Sequence, residues 1–273
     1  MGSIARTTQL TPAALEAGTE GHYVDGAHYD HVYRARRADQ RFYVEVARER
    51  DARSILELGV GTGRVAIALA KDGREVVGVD RMPPMLERLE ARLGRESRAV
   101  RARVTLRLGD LRSVRLRRRF PLVIAPFNVF MHLYARRDVE RALATCRAHL
   151  APRGRLVFDV LLPDLRALIR DPERFYKSRP IKDPTTGARR AYSEAFEYDA
   201  IAQTQMVTSA FRDVADPRDV YVCPLAHRQF FPVELEALLH YNGFAIEARY
   251  GDFARTPLDA WSESQVIVAR RRR

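Results

Sequence analysis

The fold of this chain is decided by the stretch Ser54-Ile-Leu-Glu-Leu-Gly-Val-Gly-Thr-Gly-Arg64. The apolar residues 55–58 predict a short buried strand, and residues 65–70 have the composition of a helix. Between them, glycines occupy alternate positions: Gly59, Gly61 and Gly63. A strand, a glycine turn and a helix together are typical of a loop that binds a nucleotide. Glycine lets the backbone approach a ligand closely, and the helix start offers free N–H groups.

Strand-like and helix-like stretches alternate along much of the chain. After the strand at 55–58, further strands are predicted at 75–80, 104–108, 120–125, 155–161, 244–250 and 265–269. Helices are predicted over 63–71, 83–93, 138–150 and 232–241. This alternation indicates βαβ units and a parallel sheet, so the expected fold class is α/β.

Two segments depart from the alternation. Residues from Tyr23 to Arg50 are helical in character, and residues 1–20 before them are expected to be poorly ordered or loosely helical. Strand-like stretches without helical spacers follow at 191–199, 203–213 and 219–230, which favours an antiparallel sheet. We therefore divide the chain into an N-terminal segment (1–50), a core (51–162 and 231–273) and an antiparallel insertion (163–230).

Composition and charge exclude several classes of protein. The chain has 47 Lys and Arg against 35 Asp and Glu, a net charge of +12, yet its arginines are scattered rather than gathered into a basic block with aromatics. This favours a solvated surface over a nucleic-acid track. No apolar run approaches a membrane span and the N-terminus lacks the apolar core of a signal peptide, so we expect a cytoplasmic protein. Two distant cysteines predict neither a disulfide framework nor a metal cluster.

Acidic residues follow three of the predicted strands near their carboxyl ends, where open α/β sheets bind ligands. Glu57 can accept a hydrogen bond from a ligand ammonium. Asp80 can accept both hydroxyls of a ribose, and Asp110 can accept the exocyclic amine of adenine, with the Leu111 backbone nearby. The joint placement of these acids indicates a nucleoside site.

With these residues the sequence resembles the class I S-adenosylmethionine-dependent methyltransferases. The matching segments are 56–64, 79–86, 109–111, 126–133 and 149–159. The resemblance implies a Rossmann-like sheet of seven strands, the last one antiparallel, with helices on both faces. A nicotinamide-dependent oxidoreductase is the main rival, but the G-x-G-x-G spacing and the absence of a second dinucleotide half disfavour it.

The resemblance is strongest to small-molecule enzymes such as glycine and sugar-amine N-methyltransferases, which carry an antiparallel insertion after the fifth strand. It rests here on Tyr29-Asp-His-Val-Tyr33 and Phe230-Phe-Pro-Val-Glu-Leu235. In such enzymes the N-terminal helix folds over the cofactor as a lid. The resemblance thus implies that the following residues approach the cofactor or the acceptor: Tyr29, Tyr33, Arg37, Arg81, Phe127 and Asn128.

A sulfonium methyl group is a strong electrophile, so transfer needs chiefly positioning and one base. We predict His132 as that base, because it lies on the substrate side in the resembling enzymes, and Tyr33 as a second catalytic residue. His227 and Asp252 are weaker candidates, and Asp159 would touch the substrate or cap a turn. Residues 121–137 contain no acidic ligand, so no catalytic metal is expected.

The expected function is methyl transfer from S-adenosylmethionine to an N or O atom of a small metabolite, releasing S-adenosylhomocysteine. The alternatives are an RNA or protein methyltransferase, for which the charge of +12 is the motive, and a cofactor-binding protein without transferase activity. The expected partner is a small acceptor, with no membrane and no nucleic acid. The exposed edge of an antiparallel insertion also offers a surface for a homodimer.

Overall fold

A computed structural model describes residues 11–177, 180–182, 187–216 and 218–272 of the chain. Residues 1–20 are expected to be poorly ordered or loosely helical: residues 1–10 of this stretch lie outside the described residues, and Pro12–Glu20 form a helix. Within the described residues, no helix is both long and apolar enough to cross a lipid bilayer.

The strands and helices fall into two sheets and their covering helices. In chain order the strands are Ser54–Leu58 (β1), Glu75–Asp80 (β2), Val104–Leu108 (β3), Phe120–Ala125 (β4), Leu150–Leu161 (β5), Tyr176–Lys177 (β6), Ile181–Lys182 (β7), Arg189–Asp199 (β8), Thr204–Asp213 (β9), Val220–Arg228 (β10), Phe244–Tyr250 (β11) and Ser264–Arg271 (β12). The helices are Pro12–Glu20 (α1), Gly26–Tyr33 (α2), Ala38–Glu49 (α3), Arg64–Lys71 (α4), Pro83–Leu93 (α5), Arg98–Arg101 (α6), Arg136–His149 (α7), Leu165–Leu168 (α8) and Pro232–Tyr241 (α9). Short 3₁₀ turns lie at Gly21–Tyr23 and Val129–His132.

The large sheet has the strand order β3-β2-β1-β4-β5-β12-β11. Neighbours from β3 to β5 are parallel, whereas β12 runs antiparallel to both β5 and β11. One hydrophobic cluster joins the sheet to α7 and α9, and a second joins it to α3, α4 and α5. These observations confirm the predicted seven-stranded sheet with an antiparallel last strand and helices on both faces.

The second sheet confirms the antiparallel insertion after the fifth strand. Its order is β10-β9-β8-β6, with β7 also paired to β8, and its pairs are antiparallel. Helix α1 packs on β10 of this sheet, so the N-terminal segment lies between the insertion and the core.

The stretch from Tyr23 to Arg50 is helical in character, as predicted, but it is divided into separate helices. The segment forms a 3₁₀ turn and two α-helices, α2 and α3, separated by bends. The first break has a local cause: the side chain of Asp25 accepts hydrogen bonds from the backbone N–H groups of Ala27 and His28, at 2.9 Å each, and so starts a new helix. Helix α2 then contacts α5, and α3 packs on α4.

Candidate functional site

The glycine turn between β1 and α4 has the backbone geometry that its sequence predicts. Gly59, Gly61 and Gly63 all have positive φ, at 71°, 53° and 78°. A Cβ on Gly59 would lie 2.5 Å from Cγ2 of Val129, so the turn is pressed against the loop after β4. A Cβ on Gly61 would meet no protein atom within 4 Å, because this residue faces open space.

That open space belongs to a cleft beside the glycine turn. Its wall is built from the glycine turn, the end of β2, the loops that follow β3 and β4, and the lid, which consists of α1, the 3₁₀ turn Gly21–Tyr23 and α2. The predicted residues that line it are Tyr29, Glu57, Gly59, Gly61, Asp80, Arg81, Leu111, Phe127 and His132. Those that the structure places outside its lining are Tyr33, Arg37, Gly63, Asp110 and Asn128.

Asp80 ends β2 with its carboxylate fixed at the cleft. One oxygen accepts the backbone N–H of Gly61 at 2.7 Å, and the other accepts that of Met82 at 2.9 Å. Burial raises the pKa of Asp80, and the two backbone hydrogen bonds oppose this rise. Each carboxylate oxygen keeps a further lone pair, so the group can still accept the hydroxyls of a ribose.

Glu57 is a buried acidic residue that lines the same cleft. Its side chain is 2% exposed, and its Oε2 has no hydrogen-bond partner in the part of the chain that the structure describes. Burial raises the pKa of Glu57 well above its ordinary value, with Arg64 opposing the rise. A buried acceptor without a partner is costly, so this oxygen fits a ligand that brings its own donor, such as an ammonium group.

The carboxylate of Asp110, predicted to bind adenine, is bonded to a neighbouring arginine. Its carboxylate accepts hydrogen bonds from the guanidinium of Arg112, at 2.6 Å for the shortest, and from the Arg112 backbone N–H at 2.7 Å. Leu111 lines the cleft, but Asp110 does not. Recognition of adenine by Asp110 therefore stays a prediction, and it requires this carboxylate to be shared between the ligand and Arg112.

Two acidic residues bind the lid to the core. Asp30 of α2 accepts hydrogen bonds from Thr62 Oγ1 at 2.6 Å, from Arg88 at 2.8 Å and from Arg92 at 3.0 Å. Glu16 of α1 pairs with Arg112 at 2.6 Å and with Arg81 at 3.3 Å. Thr62 belongs to the glycine turn, so its hydrogen bond to Asp30 joins the lid to that turn. The ion pairs of Asp30 and Glu16 hold the lid next to the cleft. The sequence did not single out Glu16, because its partners are brought together only by the fold.

Replacing Asp30 by asparagine is expected to speed the release of S-adenosylhomocysteine about tenfold, because two part-buried ion pairs that hold the lid are lost. Such a change corresponds to about 1.4 kcal/mol, within reach of a charged hydrogen bond. Stopped-flow displacement measures the rate. Asp25→Asn is the matched control, since asparagine also caps helices well and Asp25 caps the same helix. Equal rates for the two variants would contradict the role of Asp30 as a latch.

Phe127 is the aromatic centre of the lid contact. Its ring lies 4.9 Å from that of Tyr33 and 6.3 Å from that of Tyr29. The guanidinium groups of Arg36 and Arg64 lie 5.1 and 5.0 Å from its centroid. Tyr33 therefore contacts Phe127, which lines the cleft, but does not line the cleft itself.

The contact of Arg37 with the cofactor or the acceptor stays a prediction. Arg37 precedes α3 as its exposed N-cap residue, outside the lining of the cleft, whereas its neighbour Arg36 lies over the ring of Phe127. Neither of these two arginines lines the cleft, whereas Arg64 does.

His132 lines the cleft and is paired with a tyrosine of the lid. Its Nε2 lies 2.8 Å from the hydroxyl of Tyr23, which also lines the cleft. Burial lowers the pKa of His132 well below 6.5, helped by His227, and burial raises the pKa of Tyr23 well above its ordinary value. Both groups are therefore neutral near pH 7. Sequence reasoning missed Tyr23, although it lies close to the tyrosines of α2.

The two weaker candidates for the base lie elsewhere. His227, on β10, has its ring 5.3 Å from that of His132, and burial together with His22 lowers its pKa to about 4. Asp252 accepts hydrogen bonds from the backbone N–H groups of Ala254 and Thr256 and lies outside the cleft lining. It stabilises a turn between β11 and β12.

Known proteins resemble this chain in sequence and in structure. Residues 55–154 match a family model described as a methyltransferase domain. The glycine/sarcosine N-methyltransferase of Parasynechococcus marenigrum is 34% identical over 124 residues, which cover 45% of this chain and 43% of that protein. The chain thus aligns with less than half the length of this relative.

Solved structures match over nearly the whole chain. The CcbJ methyltransferase from Streptomyces caelestis superposes with a TM-score of 0.79 at 28% identity, covering 94% of this chain and 99% of that one. CalS10, an amino pentose methyltransferase from Micromonospora echinaspora solved with S-adenosylmethionine bound, has a TM-score of 0.68 at 21% identity, covering 89% and 96%. Together with the glycine turn, Asp80 and the strand order, these likenesses show that residues 55–154 match a methyltransferase domain and that the chain has the fold of S-adenosylmethionine-dependent methyltransferases.

Proposed function

We propose that this chain transfers a methyl group from S-adenosylmethionine to an N or O atom of a small metabolite, with an amine nitrogen as the first candidate, and releases S-adenosylhomocysteine. The observation that carries this proposal is a single cleft that joins a nucleoside-type site, at Gly61 and Asp80, to the Tyr23–His132 pair under a closed lid. The glycine/sarcosine N-methyltransferase among the relatives supports nitrogen as the acceptor atom.

The residues of the cleft fit the cofactor. Asp80 would hold the ribose hydroxyls, the unpartnered oxygen of Glu57 fits the ammonium group, and Gly61 leaves room for close approach. The bound cofactor supplies an electrophilic methyl group. The protein then has to place the acceptor in line with it and exclude water.

The lid and the loop after β4 perform this positioning. Tyr23, Tyr29 and Phe127 give the cleft an apolar, aromatic wall next to a neutral histidine. His132 stays our candidate base: its neutral imidazole can accept the proton that an amine loses after methylation and, because its pKa is lowered, can release that proton to water when the product leaves. The acceptor must itself arrive with a free lone pair.

Enclosure of the cleft favours a small acceptor over a macromolecule. Helices α1 and α2 are fastened over the glycine turn, and α1 is covered in turn by the second sheet. A nucleic acid or a folded protein would have to displace these elements. Within the proposal, the enzyme works in the cytoplasm, and the β10 edge offers a surface for a homodimer that light scattering can test.

An RNA or protein methyltransferase is the second candidate, because the net charge is +12. Arg153, Arg155 and residues 270–272 line a groove far from the glycine turn in the fold. Binding to RNA that weakens steeply with salt would favour this candidate. Weak binding that salt does not change would exclude it.

Ligand binding and turnover together test the proposed function. S-adenosylmethionine at a hundredfold excess over its dissociation constant should stabilise the fold by about 2.7 kcal/mol, whereas NAD should have no effect. Formation of S-adenosylhomocysteine should then depend on one member of a panel of amines, phenols and carboxylates. Stabilisation by NAD alone would overturn the proposal, and binding without turnover on the whole panel would favour a cofactor-binding protein.

Replacing His132 by alanine is expected to lower turnover by about 10²–10⁴-fold while the affinity for S-adenosylhomocysteine changes less than about threefold. His149→Ala is the control, because His149 is a buried histidine that accepts the backbone N–H of Leu116 and lies outside the cleft lining. Steady-state kinetics and calorimetry measure the two quantities. Equal losses of turnover and affinity would assign His132 a structural role.

A further inference from the structure

The loop after β4 holds two consecutive residues in the left-handed region. Phe127 has φ 63° and Asn128 has φ 62°. Residues with a Cβ adopt this conformation at a cost, and two in succession are unusual. Surrounding structure must therefore hold them.

The side chain of Asp159, at the end of β5, holds both residues. Its Oδ1 accepts the backbone N–H of Phe127 at 2.9 Å and the hydroxyl of Tyr43 at 2.6 Å, and its Oδ2 accepts the backbone N–H of Asn128 at 3.1 Å. Successive N–H groups that point at one anion form a concave binding site for it. Asp159 is 2% exposed, so these three donors satisfy a buried carboxylate.

This loop carries the wall of the cleft that faces the lid. Pro126, Phe127 and Val129 line the cleft, while Asp159 does not. Val129 lies against Gly59, and the ring of Phe127 lies against Tyr33 of the lid. The prediction that Asp159 touches the substrate is therefore not supported by its position; it reaches the cleft only through the backbone of the loop.

We propose that Asp159 is a positioning residue, whose carboxylate keeps Phe127 and Asn128 left-handed and so fixes the Phe127 wall against the lid and the acceptor. For its effect on turnover this inference rests on the proposed function. Asparagine at position 159 would keep the shape, but its amide nitrogen cannot accept a hydrogen bond. One of the two loop N–H groups would then lose its partner.

Three variants separate positioning from mere stability. Asp159→Asn should lower kcat/KM at least tenfold, mainly through kcat and the KM for the acceptor, with the dissociation constant of S-adenosylhomocysteine changed less than threefold. Tyr43→Phe removes a donor to the same carboxylate but leaves the loop bonds; it should lower Tm while kcat/KM stays within twofold. Adding Asn128→Gly to Asp159→Asn should restore at least a third of the lost kcat/KM without restoring Tm, since glycine accepts φ 62° freely.

Hydrogen exchange of the ligand-free protein gives a readout that needs no turnover. The peptide that spans residues 126–131 should exchange at least tenfold faster in Asp159→Asn and at the wild-type rate in Tyr43→Phe. Unchanged exchange and kcat/KM in Asp159→Asn would overturn the proposal, as would losses in both variants in proportion to Tm. If the wild-type protein turns over no acceptor, the proposed function fails, and the exchange rates still decide the role of Asp159.

Discussion

Replacing Asp80 by asparagine is expected to weaken binding of S-adenosylhomocysteine by about a hundredfold. The carboxylate is buried at the end of β2 and held in place by the N–H groups of Gly61 and Met82. An asparagine would turn an amide nitrogen toward one of these N–H donors and toward one ribose hydroxyl, and both would lose their acceptor. Each unsatisfied buried group costs about 1–3 kcal/mol, and about 2.7 kcal/mol corresponds to a hundredfold. Isothermal titration calorimetry measures the affinity directly.

Asp252→Asn provides the matched control for Asp80. Asp252 also accepts two backbone N–H groups, those of Ala254 at 2.9 Å and Thr256 at 3.0 Å, but it lies outside the cleft. Its replacement removes one carboxylate oxygen from a turn, the acceptor of the Thr256 hydroxyl at 2.8 Å, without touching the ligand, so affinity should stay within twofold. Equal losses from the two variants would show that the effect of Asp80 arises from general loss of stability, and would refute its assignment to the ribose.

Replacing Gly61 by alanine is expected to reduce the same affinity by about tenfold or more. The new methyl group would meet no protein atom within 4 Å and would project into the cleft, where the ligand has to approach the backbone. Overpacking of this kind costs about 1–3 kcal/mol. Calorimetry with S-adenosylhomocysteine and thermal unfolding of the free protein give affinity and stability separately.

Gly73→Ala isolates the backbone contribution to that result. Gly73 follows α4, has φ 87° and likewise has open space around a Cβ, but it does not line the cleft. Both substitutions should therefore cost a similar conformational strain of about 1–2 kcal/mol, while only Gly61→Ala should lose affinity. Loss of affinity in both variants would mean that strain, and not occupation of the cleft, is responsible.

Local features explain why much of the core was predictable from the sequence. The pattern of apolar residues that marks a strand or a helix repeats within a few residues of sequence. The observed positions of β1 and β2 therefore agree closely with the prediction. The lid was harder to predict, because the break at Asp25 depends on one side chain that caps a helix within an otherwise helical segment.

The sequence by itself determined the glycine turn, the acid at the end of β2 and the α/β order of the core, because each depends on residues adjacent along the chain. Only the tertiary structure decided which side chains meet across long separations. It paired Tyr23 with His132, placed Glu16 on Arg112, and set Asp159 under the loop after β4. Such contacts depend on how distant elements pack together, and packing leaves no periodic signal in the sequence.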